Sequence, residues 1–129
     1  MTDPISDFII RIKNAVLARK DVITVPHSRV KEAIAGILQK EGYIAEVTSQ
    51  EEAGFKQLVI TLKYVGKNPT VTDVRRLSKP GRRLYVPASD IPKSLGGYGI
   101  TILSTNKGII TDTDARKMNV GGELLCQIW

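Results

Sequence analysis

An α+β fold is predicted for this 129-residue chain by three patterns: two apolar stripes at helical spacing near the N-terminus, β-branched runs through the remainder, and turn-forming clusters that separate those runs. They predict a small α-β-α-β-β N-terminal lobe, residues 1–65, packed against a strand-rich C-terminal lobe with a short helix, residues 66–129. With 42% hydrophobic residues the chain can bury a real core.

Asp3-Pro4 can cap and start the first helix, in which Ile5, Phe8, Ile9, Ile12 and Val16 share one face while Arg11, Lys13 and Arg19 point elsewhere. Asp21 to Pro26 reads as a short strand. Ser28 can cap a second helix with Val30, Ala33, Ile34, Ile37 and Leu38 on its apolar face, and Gly42 lies beyond its end. Tyr43 to Thr48 and Phe55 to Tyr64 then predict a hairpin around the loop Ser49 to Gly54.

Gly66-Lys67-Asn68-Pro69 punctuates the chain before the segment 71–77, and Lys79-Pro80-Gly81-Arg82 suits a type II turn, with proline second and glycine third. Leu84-Tyr85-Val86 resumes a strand. Ser89 to Leu95 reads as one helical turn or an irregular loop, and Gly96-Gly97-Tyr98-Gly99 supplies flexibility before a strand from Ile100 to Ser104. Asn106-Lys107-Gly108 turns the chain into Ile109-Ile110. Thr111 can cap a short helix with Asp112 and Asp114 in its first turn and Arg116 and Lys117 in its last, matching the helix dipole at both ends. Gly121-Gly122 leads into a terminal strand, Glu123 to Trp129.

Charge narrows the partner. There are 19 basic and 13 acidic side chains, a formal net charge of +6, and the excess is uneven: residues 1–64 hold 9 basic and 8 acidic groups, residues 65–129 hold 10 and 5. That surplus favours a phosphate backbone or an anionic membrane, with the second lobe carrying the electrostatics. No apolar run is long enough to span a bilayer and no secretory or lipidation pattern is present, so a cytoplasmic location, without membrane attachment, is expected.

Catalytic and cofactor chemistry find little to work with. The lone Cys126 lies in an apolar strand-like run and reads as a packed thiol. The single histidine, His27, has no second histidine or cysteine nearby to form a metal pair and reads as a helix-start residue. Glycines 96, 97 and 99 lack the spacing of a nucleotide-binding loop, and Asp112 and Asp114 read as helix stabilisers rather than acid, base or metal ligands. No catalytic residue, metal site or cofactor is expected; an enzyme would need His27, Cys126 or Asp112 to converge in the fold.

Polar recognition fits better. Arg75, Arg76, Lys79, Arg82 and Arg83 bracket a tight turn and could track phosphates, or simply form a solvated face. Ser104, Thr105 and Asn106 can donate and accept, and so could read sugars and base edges where Lys107 would mainly sense phosphate. Tyr85 and Tyr98 could stack on an exposed base or pack between strands. A duplex-DNA repressor is a weaker reading, because no helix presents enough outward polar residues for major-groove recognition.

Residues 99–116 closely resemble the signature of the bacterial small-subunit ribosomal protein family numbered eight: Ser104-Thr105, two residues, Gly108-Ile109-Ile110, four residues, Ala115-Arg116. Three further segments resemble that family in order: residues 3–15 its opening helix, Lys40-Glu41-Gly42-Tyr43-Ile44 its helix-to-strand join, and residues 78–85 its central turn. The resemblance implies a primary rRNA-binding protein, monomeric when free, that binds a stem in the central domain of small-subunit RNA and helps assemble the platform. It also implies contacts with the fifth and twelfth small-subunit proteins and, in some bacteria, repression of its own operon through an mRNA stem. Carried over by position, Ser104, Thr105, Asn106, Lys107 and Gly108 would approach the distorted minor-groove side of the RNA, with Ser104 and Thr105 the principal readers. Gly122 and Glu123 would assist at the start of the last strand, and Arg82, Arg83 and Tyr85 complete the expected RNA-binding set.

Overall fold

The computed structural model describes residues 3–129, without the side-chain surroundings of Leu95 and Gly96. It has the α+β architecture, a helix-strand region followed by a strand-rich sheet with a short helix. The described chain divides into two compact units, one formed by residues 8–72 and the other by residues 73–129 together with the N-terminal residues up to Asp7. The division therefore falls seven residues after the boundary at 65, and the first helical turn groups with the C-terminal unit. One reason is electrostatic: the Asp3 carboxylate receives the Arg76 guanidinium at 3.0 Å.

Helix α1 runs over Pro4–Leu17, and Asp3 caps it by accepting the Ser6 N–H at 3.2 Å. Phe8, Ile9, Ile12, Ala15 and Val16 are buried. Strand β1, Val22–Pro26, alternates so that Ile23 and Val25 enter the core. Helix α2, Arg29–Lys40, starts at Ser28, whose hydroxyl accepts the Lys31 N–H at 3.1 Å. Its buried face is Ile34, Ala35 and Leu38; Val30 is exposed, so the stripe is narrower and rotated toward Ala35. His27 sits at this helix start with its Nε2 hydrogen-bonded to Glu32, as a helix-start residue should.

Strands β2, Ile44–Glu52, and β3, Phe55–Leu62, form a longer hairpin than expected, because the supposed loop at 49–52 continues β2 and only Ala53-Gly54 turns. Both turn residues have positive φ, 52° and 81°, which lets two residues reverse the chain. The outer half of β2 is exposed on both faces, so it carries no alternation to read. The sheet order is β1-β3-β2, all antiparallel, and Leu58, Ile60 and Leu62 of β3 are buried at its centre. Around Gly66, Tyr64–Val65 (β4) and Asn68–Pro69 (β5) make a small hairpin.

In the C-terminal unit the strands are β6 (Val74–Arg76), β7 (Tyr85–Val86), β8 (Ile100–Thr105), β9 (Gly108–Thr111) and β10 (Gly122–Ile128). The sheet order is β6-β10-β8-β9, and β7 also pairs with β10, which is therefore the central strand. The turn at 79–82 is not type II. Lys79 and Arg82 exchange both backbone hydrogen bonds at 2.9 Å, and Gly81 lacks the positive φ that a type II turn demands. Between β7 and β8 lie two short 3-10 turns, Ala88–Asp90 and Ser94–Gly97, so the Ser89-to-Leu95 segment has a helical turn at each end.

Helix α3, Asp112–Met118, is capped by Thr111, whose hydroxyl accepts the Asp114 N–H. Ile91, Leu103, Ala115 and Leu124 form an apolar cluster with Leu77, Leu84, Val86, Ile110 and Val120 around it. Cys126 is fully buried in β10, and burial pushes its thiol from the ordinary 9.0 up to about 12, with the nearby Arg76 cation opposing the shift only partly. Ellman's reagent should therefore leave the native protein unmodified and react promptly after unfolding in guanidinium; fast native reaction would refute this packing. The pH consequence has a definite sign. An unfolded thiol ionises near pH 9.0 and the folded one near 12, so stability should decline as pH rises from about 9 toward 12, which alkaline urea titrations would record.

Candidate RNA-binding face

The β8–β9 hairpin closes through Asn106-Lys107, with Gly108 at φ 103°, a conformation that excludes most side chains. The Thr105 hydroxyl holds this turn: it accepts the Lys107 N–H at 3.0 Å and donates to the Gly108 carbonyl at 2.9 Å. One acceptor lone pair remains on that oxygen for an outside partner. Asn106, Lys107 and Gly108 are exposed at the tip.

Strand register then builds a row. Ile109 opposes Ser104 across β9 and β8, Ser104 opposes Glu123 across β8 and β10, and Glu123 opposes Tyr85 across β10 and β7. Residues opposite one another share a sheet face, so Ser104, Glu123 and Tyr85 lie side by side although 19 to 38 residues separate them in the chain. Tyr85 is 68% exposed. The Ser104 hydroxyl has no hydrogen-bond partner among the described residues and is only half-buried, whereas Glu123 accepts a charge-assisted bond from Arg83 at 3.1 Å.

Gly122 makes the row possible. A Cβ there would stand 2.2 Å from the Ser104 carbonyl oxygen and 3.0 Å from Thr105 Cγ2. The missing side chain allows β10 to approach β8 at the point where the polar residues converge. Gly121 is confined in the same way, by the Val86 carbonyl oxygen at 2.2 Å.

Of the residues singled out by sequence, Ser104, Thr105, Asn106, Lys107, Gly108, Gly122, Glu123, Arg83 and Tyr85 come together on or beside β7-β10-β8-β9. Arg82 stands apart, in an open basic cleft lined by Arg75, Arg76, Lys79 and Leu84. Within that basic group Arg76 is anchored by Asp3 and Arg83 by Glu123, leaving Arg75, Lys79 and Arg82 without a carboxylate partner among the described residues. The sequence could not foretell this partition, because each neutralising carboxylate lies at least 40 residues away.

A second polar group fixes the other end of β8. Asp112, buried, accepts the Thr101 N–H at 3.3 Å and the Arg116 guanidinium at 2.8 Å. Arg116 also donates to the Ile91 carbonyl at 3.1 Å, the Thr101 hydroxyl donates to Pro92, and Gln127 donates to Thr101. Beyond matching the dipole of α3, Asp112 joins that helix to β8 and, through Arg116, to the 91–92 segment.

No group of three or more metal-ligating side chains gathers among the described residues, and no helix there is long and apolar enough to cross a membrane. The basic surface and the row of hydroxyl, carboxylate and phenol carry the chemistry of a polyanion-contacting face. The chain belongs to the ribosomal protein S8 family, whose model matches residues 3–129. It is 53% identical over 129 residues to the small ribosomal subunit protein uS8 of Dictyoglomus thermophilum, covering 100% of this chain and 98% of that one. It is 51% identical over 130 residues to uS8 of Opitutus terrae, covering both chains fully, and 52% identical over 135 residues to uS8 of Persephonella marina, covering 100% and 99%.

Proposed function

We propose that this protein is a cytoplasmic rRNA-binding constituent of the small ribosomal subunit, that it binds a central-domain RNA stem through the β7-β10-β8-β9 face, and that it thereby helps assemble the platform. The observation that carries the proposal is the row Ser104, Glu123 and Tyr85, where a half-buried hydroxyl without a partner stands beside an oriented carboxylate and an exposed aromatic ring. A stem with an irregular minor groove offers what these groups recognise: 2′-hydroxyls, base edges and an unstacked base. Asn106 and Lys107 at the tip would add sugar and phosphate contacts. Membership of a ribosomal-protein family and the basic excess of the C-terminal half support the same reading. Contacts with the fifth and twelfth small-subunit proteins, and binding of an operon mRNA stem that imitates the ribosomal one, belong to this proposal as its finer parts.

The test is a pair of dissociation constants at one salt concentration, for the central-domain stem and for an unrelated hairpin of equal length. The parent should prefer the stem by roughly 10³-fold, the order seen in specific nucleic-acid recognition. Thr105→Ala should lose most of that preference while keeping the basal, salt-sensitive affinity, and Thr105→Ser, which retains the turn-holding hydroxyl, should restore it. Equal binding of both RNAs by the parent would refute the reading.

A further inference from the structure

An open cleft in the C-terminal unit is lined by Lys93, Gly97, Gly99, Thr113 and Lys117, with Asp112 and Arg116 in its wall. It lies at the beginning of β8, whereas the turn at 104–108 lies at the end of that strand. Six residues of extended chain place the two roughly 20 Å apart. Tyr98, between the two lining glycines, is 91% exposed, the most exposed large apolar side chain among those described. Lys93 and Lys117 are exposed and have no carboxylate partner among the described residues. The one acidic wall residue, Asp112, has its carboxylate taken up by Arg116 and the Thr101 N–H, so it offers little repulsion to an anion.

The geometry points to a second RNA contact here, for an unpaired nucleotide or short single-stranded segment: a base stacks on the Tyr98 ring while Lys93 and Lys117 take the flanking phosphates. Aromatic rings beside cations are the usual means of holding single strands without sequence preference. Thr113 adds a hydroxyl within the cleft that can reach a sugar or phosphate. Gly97, exposed at φ 105°, leaves its part of the cleft wall free of a side chain. This inference rests on the RNA-binding reading but uses none of the residues of the β7-β10-β8-β9 face. The C-terminal unit would then hold a structured stem at one end of β8 and a single strand at the other.

The test is an amide-resolved NMR titration of the full chain with a short unstructured oligoribonucleotide of adenosine and cytidine, alongside the stem-binding measurement. Shifts are expected at Lys93, Tyr98, Gly99, Thr113 and Lys117. Tyr98→Ala should weaken oligonucleotide affinity about tenfold, the scale of one lost base-aromatic stack, and Tyr98→Phe should not. Lys93→Gln with Lys117→Gln should lower affinity and flatten its salt dependence. An exposed side chain can be truncated without unfolding the protein, so loss of binding in Tyr98→Ala reports the contact itself. Shifts confined to residues 104–108, or parental affinity in Tyr98→Ala, would overturn the inference. Stem preference intact with no response at this cleft would sink this inference alone; oligonucleotide binding here with no stem preference would sink the stem reading alone.

Discussion

Gly122→Ala is expected to destabilise the protein by about 2–3 kcal/mol, the upper range for forcing a methyl group into packed surroundings. The obstacle is main chain: the new Cβ would lie 2.2 Å from the Ser104 carbonyl oxygen, so relief requires β8 and β10 to separate. Separation disturbs the Glu123–Ser104 pairing and the Thr105 methyl that lies over the glycine. RNA recognition should therefore fall together with stability, and stem preference should suffer more than binding to an unrelated hairpin. Urea denaturation at constant m-value measures the first effect and paired dissociation constants the second. Gly36→Ala is the internal control. Its Cβ would meet nothing within 4 Å on the exposed side of α2, so replacing a mid-helix glycine should stabilise by about 0.5–1 kcal/mol. Parental stability and parental stem preference in Gly122→Ala would show that β8 and β10 tolerate separation and that the close approach is immaterial.

Arg116→Met is expected to cost about 3–5 kcal/mol, the range for removing one partner of a buried ion pair. The side chain of Asp112 is 5% exposed, so without the guanidinium its charge remains in the interior with the Thr101 N–H as its remaining donor. The Ile91 carbonyl loses its donor at the same time. Asp112→Asn with Arg116→Met should recover much of the loss, because the stranded charge is then gone. That recovery separates a charge effect from simple loss of packing. A typical domain is stable by only 5–15 kcal/mol, so the single variant should unfold well below the parental temperature. If its melting temperature stayed at the parental value, Arg116 would be a surface residue in energetic terms and the polar network would not be holding α3 on β8.

Much of the fold was legible because local chemistry announces it. Asp3, Ser28 and Thr111 each cap the helix that follows them, as their side-chain oxygens and positions predict. Phe8, Ile9 and Ile12, and likewise Ile34 and Leu38, recur at helical spacing and are buried. Where the local message was weak, the structure departs from it. Ser49 to Glu52 belong to a strand because backbone pairing with β3 stabilises them although neither face is apolar. Gly81 suits a type II turn but does not adopt one, since the paired backbones of Lys79 and Arg82 set the turn geometry.

The recognition face divides in the same way. Local sequence was enough to mark the turn at 104–108 as a polar hairpin tip, because a hydroxyl that can bond its own turn and a glycine that tolerates positive φ are neighbours in the chain. Membership of a ribosomal-protein family was also written in ordered local motifs, and residues 3–129 match that family. What only tertiary structure decided is which distant residues share the face. Register across β7, β10, β8 and β9 brings Tyr85 and Glu123 to Ser104, places Glu123 to neutralise Arg83, and confines Gly122 against the Ser104 carbonyl; Asp3 neutralises Arg76, and Arg75, Lys79 and Arg82 have no carboxylate partner among the described residues. The physical reason is the range of the forces involved. Capping, turn strain and helical periodicity act within a few residues, whereas strand register and ion pairing are settled by which surfaces can be buried together once the whole sheet has formed.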